Sequence, residues 1–232
     1  GIDMHIGSQL TQLAPFEAAF RCLAELTTEL RGLGHNIEVL DIGGGLGIDY
    51  ADGNQIPPAI SNYASLANDI LGQLDCRILV EPGRSLVGNT GILISRVIYI
   101  KQGEHDRFLV IDAGMNDLLR PSMYDAYHEI VPATPRDSEL EYYQVVGPIC
   151  ETGDTFARNR ALPGLRGGDL VAIKDAGAYG AVMASSYNTR PLVPEVLVTG
   201  DKMTIIRPRP DYDEMIRLDT PDGLKDCPLP GD

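Results

Sequence analysis

Three short apolar runs, each followed by a polar or glycine-rich stretch and separated by amphipathic helical segments, constrain this chain more than any other feature. Ile2 to Gly7 reads as a strand. Pro15 to Leu33 then sets Phe16, Phe20, Leu23, Leu26 and Leu30 on one helical face and stops at Gly34, a residue suited to a helix C-cap. Ile37 to Ile42 is a second strand. After a loop holding Pro57 and Pro58, Ser61 to Leu74 is a second helix and Arg77 to Val80 a third strand. The β-α-β-α-β order requires parallel strands joined by right-handed crossovers. Three strands are too few to close an eight-stranded barrel, which takes ~250 residues.

From about Ser85 onward the period changes to two. Candidate strands are Gly91–Lys101, Arg107–Asp112, Tyr142–Val146, Asp169–Lys174, Pro194–Val198 and Lys202–Arg207, separated by turn residues as in an antiparallel sandwich or open barrel. Residues Pro132 to Glu139 and Leu162 to Gly168 read as surface loops. Leu218 to Asp232, rich in Pro, Gly and Asp, reads as a mobile terminus. The expected organisation is an α/β part over residues 1–87 and a β-rich part over 88–232.

Charge then removes whole classes of function. With 19 Lys and Arg against 33 Asp and Glu, the net charge of −14 argues against a nucleic-acid or anionic-membrane surface. The longest apolar stretch, Gly91 to Ile100, is far short of the ~20 residues a membrane span requires and carries Arg96. Cys22, Cys76, Cys150 and Cys227 lie far apart with no CxxC pair, so neither a zinc knuckle nor a disulfide framework is expected. A reducing cytoplasm is the natural compartment. The opening Gly1-Ile2-Asp3-Met4-His5-Ile6 reads as a strand entered midway, so the chain is expected to be part of something longer.

The chemistry concentrates after the strands. Gly43-Gly44-Gly45-Leu46-Gly47 follows the second strand, where clustered glycines let backbone N–H groups approach an anion such as phosphate. Its spacing fits neither a dinucleotide fingerprint nor a Walker loop, and alone it reads equally as a tight strand-to-helix turn. Glu81-Pro82-Gly83-Arg84 follows the third strand, on the functional face of an α/β barrel, although neighbouring Glu and Arg are more often an inconsequential surface pair. His5, with Ser8 and Gln9, closes the first strand. A lone histidine is more often a core residue than a catalyst. Three strand ends converging on one rim count for more than any of them singly.

In the second half, Gly147-Pro148-Ile149-Cys150-Glu151-Thr152-Gly153-Asp154 sets a thiol beside a carboxylate. Cys150 as a small buried hydrophobe is the bland alternative. Asp175-Ala176-Gly177-Ala178-Tyr179-Gly180 presents a tyrosine among small residues, and Arg120-Pro121-Ser122-Met123-Tyr124 sets a cation and a phenol four apart.

HIGSQ at 5–9, GGGLG at 43–47, EPGR at 81–84, RPSMY at 120–124, GPICETGD at 147–154, DAGAYG at 175–180 and YNTRP at 187–191 stand in one order. Together, over residues 1 to about 207, they closely resemble the diaminopimelate decarboxylase family of fold type III, alanine-racemase-like pyridoxal-phosphate enzymes. The resemblance implies the last three units of a (β/α)8 barrel followed by a β-sandwich or barrel domain. It implies decarboxylation of meso-2,6-diaminopimelate to L-lysine with pyridoxal 5'-phosphate.

On that resemblance, His5 stacks on the pyridine ring and Glu81 meets its nitrogen. Ser8, Gly43, Gly44, Gly45 and the backbone of Pro82, Gly83 and Arg84 hold the phosphate. Arg84, Arg120 and Tyr124 clamp the substrate's distal carboxylate, and Tyr179 contacts phosphate and substrate. Cys150 is the proton donor and Glu151 reads the distal ammonium, both in the site of a partner in a homodimer. The family's Schiff-base lysine has no counterpart among Lys101, Lys174, Lys202 and Lys225, so a separate or preceding N-terminal part would carry it. Relatives acting on ornithine, arginine or carboxynorspermidine, or a protein that binds the cofactor without turnover, are the competing readings.

Overall fold

In the computed structural model, which describes residues 1–51, 53 and 56–220, the first half is the expected alternation. Strands β1 (Ile2–Asp3), β2 (Val39–Asp41) and β3 (Arg77–Leu79) form one parallel sheet in the order β1-β2-β3, with Leu40 level with Ile2 and with Ile78. Helices α1 (Ala14–Gly32) and α2 (Ile60–Leu71) make the crossovers. Phe16 and Phe20 are fully buried against Tyr63 of α2, with the Phe16 and Tyr63 rings 4.9 Å apart edge to face. The buried stripe of α1 continues through Thr27, whose hydroxyl donates to the Leu23 carbonyl at 2.6 Å, and not through Leu26, which is exposed. A step of four from Leu23 keeps to the core face of a 3.6-residue helix, whereas a step of three leaves it here. Gly34, at a φ of +92°, closes α1 by donating to the Arg31 carbonyl at 3.0 Å.

The β-rich part packs a second core around Val97, Leu109, Ile111, Tyr143, Val145, Val171 and Ile173. Six strands build it: β4 (Leu93–Gln102), β5 (Arg107–Ile111), β6 (Ile130–Pro132), β7 (Leu140–Val146), β8 (Thr155–Pro163) and β9 (Leu170–Ile173), in the order β6-β9-β4-β5-β7-β8. The sheet is mixed and not purely antiparallel, because β5 and β7 run parallel. Two strands depart from the sequence expectation. β6 takes in Pro132 from a presumed loop, and β8, which takes in Leu162 and Pro163, was hidden by its Arg158-Asn159-Arg160 centre. Asn159 sits at a φ of +48° opposite an irregularity in β7, so the two-residue period breaks there. Short helices α3 (Arg84–Val87) and α4 (Arg120–Tyr124) begin on EPGR and RPSMY.

The chain divides into two compact units, the second starting at Ala184. That unit holds the YNTRP turn, a hairpin of β10 (Glu195–Thr199) and β11 (Lys202–Arg207) turning at Gly200, and helix α5 (Tyr212–Asp219). Asp211 and Glu214 form a capping box at the start of α5, so Leu218 and Asp219 end a helix where a mobile terminus was expected. Residues 221–232, with Lys225 and Cys227, lie outside the described residues. No described helix is long and apolar enough to cross a membrane.

Candidate active site

The three strand ends meet through backbone. Past the regular pairing, Met4 N–H donates to the Asp41 carbonyl at 3.1 Å, Ile42 N–H to Leu79 at 3.0 Å and Glu81 N–H to Gly43 at 2.8 Å. The glycines of residues 43–47 are demanded by this crowding. A Cβ at Gly43 would strike the Met4 carbonyl, at Gly44 the Glu81 carbonyl, and at Gly45 the Gly7 carbonyl at 2.5 Å. Gly43, at a φ of +65°, also needs the freedom only glycine has. Gln9 completes the join, donating to the Ile48 carbonyl at 2.7 Å and accepting from the Ile48 N–H at 3.2 Å.

This packing gathers the expected residues on one rim. His5 borders Gly43, its Nδ1 3.3 Å from where a Cβ there would lie. Glu81 is exposed and shares a cluster with Asp3 and Asp41 in which the carboxylate oxygens lie within 4.8 Å of one another. Arg84 donates from Nη2 to Ser8 Oγ at 3.1 Å. Its Nε is buried with no hydrogen-bond partner among the described residues. The DAGAYG segment docks on the chain after EPGR, where Ala176 and Gly177 N–H donate to the Gly91 and Gly88 carbonyls at 2.8 and 3.0 Å. Tyr179 is thereby laid against Arg84, with the guanidinium carbon 4.7 Å from the ring centre.

A second guanidinium reaches the same place from α4. Arg120 is buried, and its guanidinium carbon lies 4.7 Å from the ring centre of Tyr50. Arg84 stands 5.7 Å from that ring centre and donates from Nη1 to the Tyr50 hydroxyl at 2.5 Å. Burial, helped by the neighbouring Arg84, draws Arg120 below its ordinary range. No ion pair joins Arg84 or Arg120 to a carboxylate among the described residues. Two cations side by side without a counter-charge are an anion site in waiting.

Arg120 Nη1 lies 2.7 Å from His128 Nε2, and His128 Nδ1 lies 2.7 Å from the Lys174 carbonyl. Arginine has only donors and a carbonyl only accepts, so His128 is the neutral tautomer with its proton on Nδ1. Burial, with Arg120, Arg84 and Arg160 nearby, lowers its pKa from 6.5 to about 4. Tyr50 and His128 belong to no motif. Tyr50 stands three residues past the glycine loop and His128 in a loop before β6, and only folding makes them neighbours, their ring centres 5.4 Å apart.

Cys150 and Glu151 sit on a different construction. The loop 147–154 is wound on the buried Asp154 carboxylate, which accepts from the Met115 N–H at 2.7 Å and the Ile149 N–H at 2.6 Å. A Cβ at Gly147 would enter that carboxylate. Ser122, in α4, donates to the Gly153 carbonyl at 2.5 Å, so the helix that carries Arg120 and Tyr124 is pinned to this loop. Cys150, Glu151 and Tyr124 are all exposed. Cys150 is a free thiol at the surface, not the buried hydrophobe of its bland reading.

Residues 18–177 match the family model described as the pyridoxal-dependent decarboxylase C-terminal sheet domain. The chain is 50% identical over 217 residues to a diaminopimelate decarboxylase of Zymomonas mobilis, covering 94% of this chain and 51% of that one. It is 45% identical to one from Archaeoglobus fulgidus, covering 93% and 52%. Among solved structures, diaminopimelate decarboxylase from Helicobacter pylori complexed with L-lysine superimposes with a TM-score of 0.87 at 43% identity, covering 94% of this chain and 53% of that one. Lysine/ornithine decarboxylase complexed with cadaverine from Vibrio vulnificus matches less well, with a TM-score of 0.74 at 27% identity over 82% and 51%. The chain spans about half the length of the curated relatives it matches.

Proposed function

The chain belongs to the pyridoxal-dependent decarboxylases, and from that premise we propose that it forms part of an enzyme that releases CO2 from meso-2,6-diaminopimelate to give L-lysine. In this reading residues 1–87 complete a (β/α)8 barrel and residues 88–232 form the β-rich domain that follows. The observation that carries the choice of substrate is the unneutralised pair of guanidiniums on Tyr50. A substrate with a carboxylate at each end needs such a pair away from the reacting centre. Ornithine and arginine, with one carboxylate, do not.

The residues on the rim suit pyridoxal phosphate. A hydroxyl (Ser8), the exposed backbone of Pro82 and Gly83 and three successive glycines suit a phosphate, while an exposed carboxylate and an imidazole on the same rim suit a protonated pyridine ring. When bound, the cofactor supplies an electron sink for the pair left behind as CO2 departs. Ser8, Gly43–Gly45 and the backbone of Pro82, Gly83 and Arg84 would hold its phosphate, with Tyr179 bordering phosphate and substrate. His5 would offer its flat face to the ring. Glu81, inside the negative field of Asp3 and Asp41, would keep the ring nitrogen protonated. Arg84, Arg120 and Tyr124 would bind the distal carboxylate, the guanidiniums through the N–H groups that Tyr50, Ser8 and His128 leave free.

Cys150 would return the proton to the carbon that lost CO2, and Glu151 would pair with the distal ammonium. Both are exposed on a loop braced from behind by Asp154, which supports their serving the site of a partner subunit in a two-fold dimer. Product analysis of the holoenzyme tests the reading. Lysine and CO2 are expected from meso-diaminopimelate, and comparable turnover of ornithine or arginine would overturn the choice of substrate. Replacing the thiol, Cys150→Ala, should slow product formation about 10²–10⁴-fold with the cofactor still bound. Near-normal turnover with unchanged product stereochemistry would remove Cys150 from the reaction.

A further inference from the structure

The arginine pair is aimed by two side chains that stand outside every motif. Arg120 touches His128 through Nη1 and Tyr50 through its flat face, and Tyr50 in turn takes the Arg84 hydrogen bond on its hydroxyl. His128 is itself fully seated. It is 1% exposed, bonds the Lys174 carbonyl through Nδ1, and sets its ring edge-on to Tyr50 at 77°. The segment around it is braced by Arg160, which donates to the His128 carbonyl at 2.8 Å and stacks 4.2 Å from the centre of the Tyr127 ring.

Position 128 has an unusual requirement. A buried guanidinium needs an acceptor, and a carboxylate would be the strongest one. A carboxylate would also cancel the charge. A neutral imidazole accepts one N–H, fixes the rotation of the guanidinium and leaves its positive charge and remaining donors for a ligand. We propose that His128, with Tyr50, is a positioning residue that orients Arg120 without neutralising it, and so sets the preference for substrates carrying a second carboxylate. The inference rests on the reading of Arg120 as a carboxylate-binding residue given above.

The test compares His128→Leu, His128→Gln and His128→Glu with Arg120→Ala in the holoenzyme. His128→Leu should raise KM for meso-diaminopimelate about 10- to 100-fold, the value of one hydrogen bond to a charged group, with kcat falling by a smaller factor. His128→Gln, which keeps a neutral acceptor, should return KM to within about threefold of the unmutated enzyme. His128→Glu should behave like Arg120→Ala because the charge is quenched. Calorimetry with pimelate, a dicarboxylate that cannot react, should lose affinity in the same order without any turnover.

Equal loss in the Leu and Gln variants, or a loss confined to kcat, would reduce His128 to a packing residue and overturn the inference. A raised KM in Arg120→Ala with none in His128→Leu would overturn this inference alone. An unchanged KM in Arg120→Ala would overturn the carboxylate-binding reading beneath it. If His128→Leu does not fold, His128→Asn, too short to span from the Lys174 carbonyl to Arg120, takes its place with the same expected rise.

Discussion

The two loops that carry the candidate site residues are held in opposite ways. Residues 43–47 keep their shape because side chains are missing, since a Cβ at Gly43, Gly44 or Gly45 would run into the backbone of a neighbouring strand end. Residues 147–154 keep theirs because one side chain is present, the Asp154 carboxylate at the hub of two backbone N–H groups. The first design is steric and tolerates no addition. The second is electrostatic and tolerates no loss of an acceptor. A rim of parallel strand ends is already crowded, so shape is set by exclusion there, whereas the loop joining β7 to β8 meets the Ala113 backbone at Gly147 and winds the rest of its length on a polar centre.

Breaking the steric design should have the largest effect. Gly43→Ala combines a left-handed backbone with a collision against the Met4 carbonyl, and a loss of about 4 kcal/mol is expected from denaturant unfolding. A loss below about 1 kcal/mol would mean that the strand ends can separate cheaply, and the contrast between the loops would disappear.

Acid should discriminate the regions next. His128 is held neutral in the folded protein, with a pKa of about 4 against 6.5 when unfolded. The unfolded chain therefore binds the proton first, and stability falls as the pH drops from about 6.5 to about 4, by about 3 kcal/mol in all. Above pH 6.5 this contribution is constant. Hydrogen exchange followed across that window should show the Lys174 region opening while the Ile42 and Gly47 amides, bonded to the Leu79 and Leu10 carbonyls, stay protected. Simultaneous loss in both would show that the two regions unfold as one.

The smallest expected change sharpens the electrostatic half. Asp154→Asn keeps one acceptor oxygen and turns the other into a donor facing an N–H, which should cost about 2 kcal/mol. Thiol reactivity at Cys150 should rise as the loop loosens, with the 43–47 loop unaffected. An Asn variant as stable as the unmutated protein would show that the carboxylate is not what shapes the loop.

How far the sequence could be read follows from the same contrast. The glycine loop is written in the sequence because exclusion requires a particular residue at each position, and the C-cap at Gly34 is legible for the same reason. The helices are legible from their period, although Thr27 displaced Leu26 from the buried face because an internal hydrogen bond to Leu23 satisfies its hydroxyl. Strand β8 was not legible, since its Arg158-Asn159-Arg160 centre bulges and breaks the alternation on which strand recognition depends.

The sequence by itself determined the alternating architecture of residues 1–80, the meeting of HIGSQ, GGGLG and EPGR on one rim, and the family to which seven ordered motifs belong. Periodicity is carried by residues close together in the chain, and the steric demand for glycine, although its partners Met4, Gly7 and Glu81 are distant, leaves its mark at the single positions 43, 44 and 45. Only the tertiary structure decided that Asp154 is the hub of its loop, and that Tyr50, Arg84, Arg120 and His128 form one cluster. The outermost of those four lie 78 positions apart, and what matters about them is burial, an unneutralised charge and a neutral acceptor. Solvation and charge balance of that kind exist only once distant segments have excluded water together.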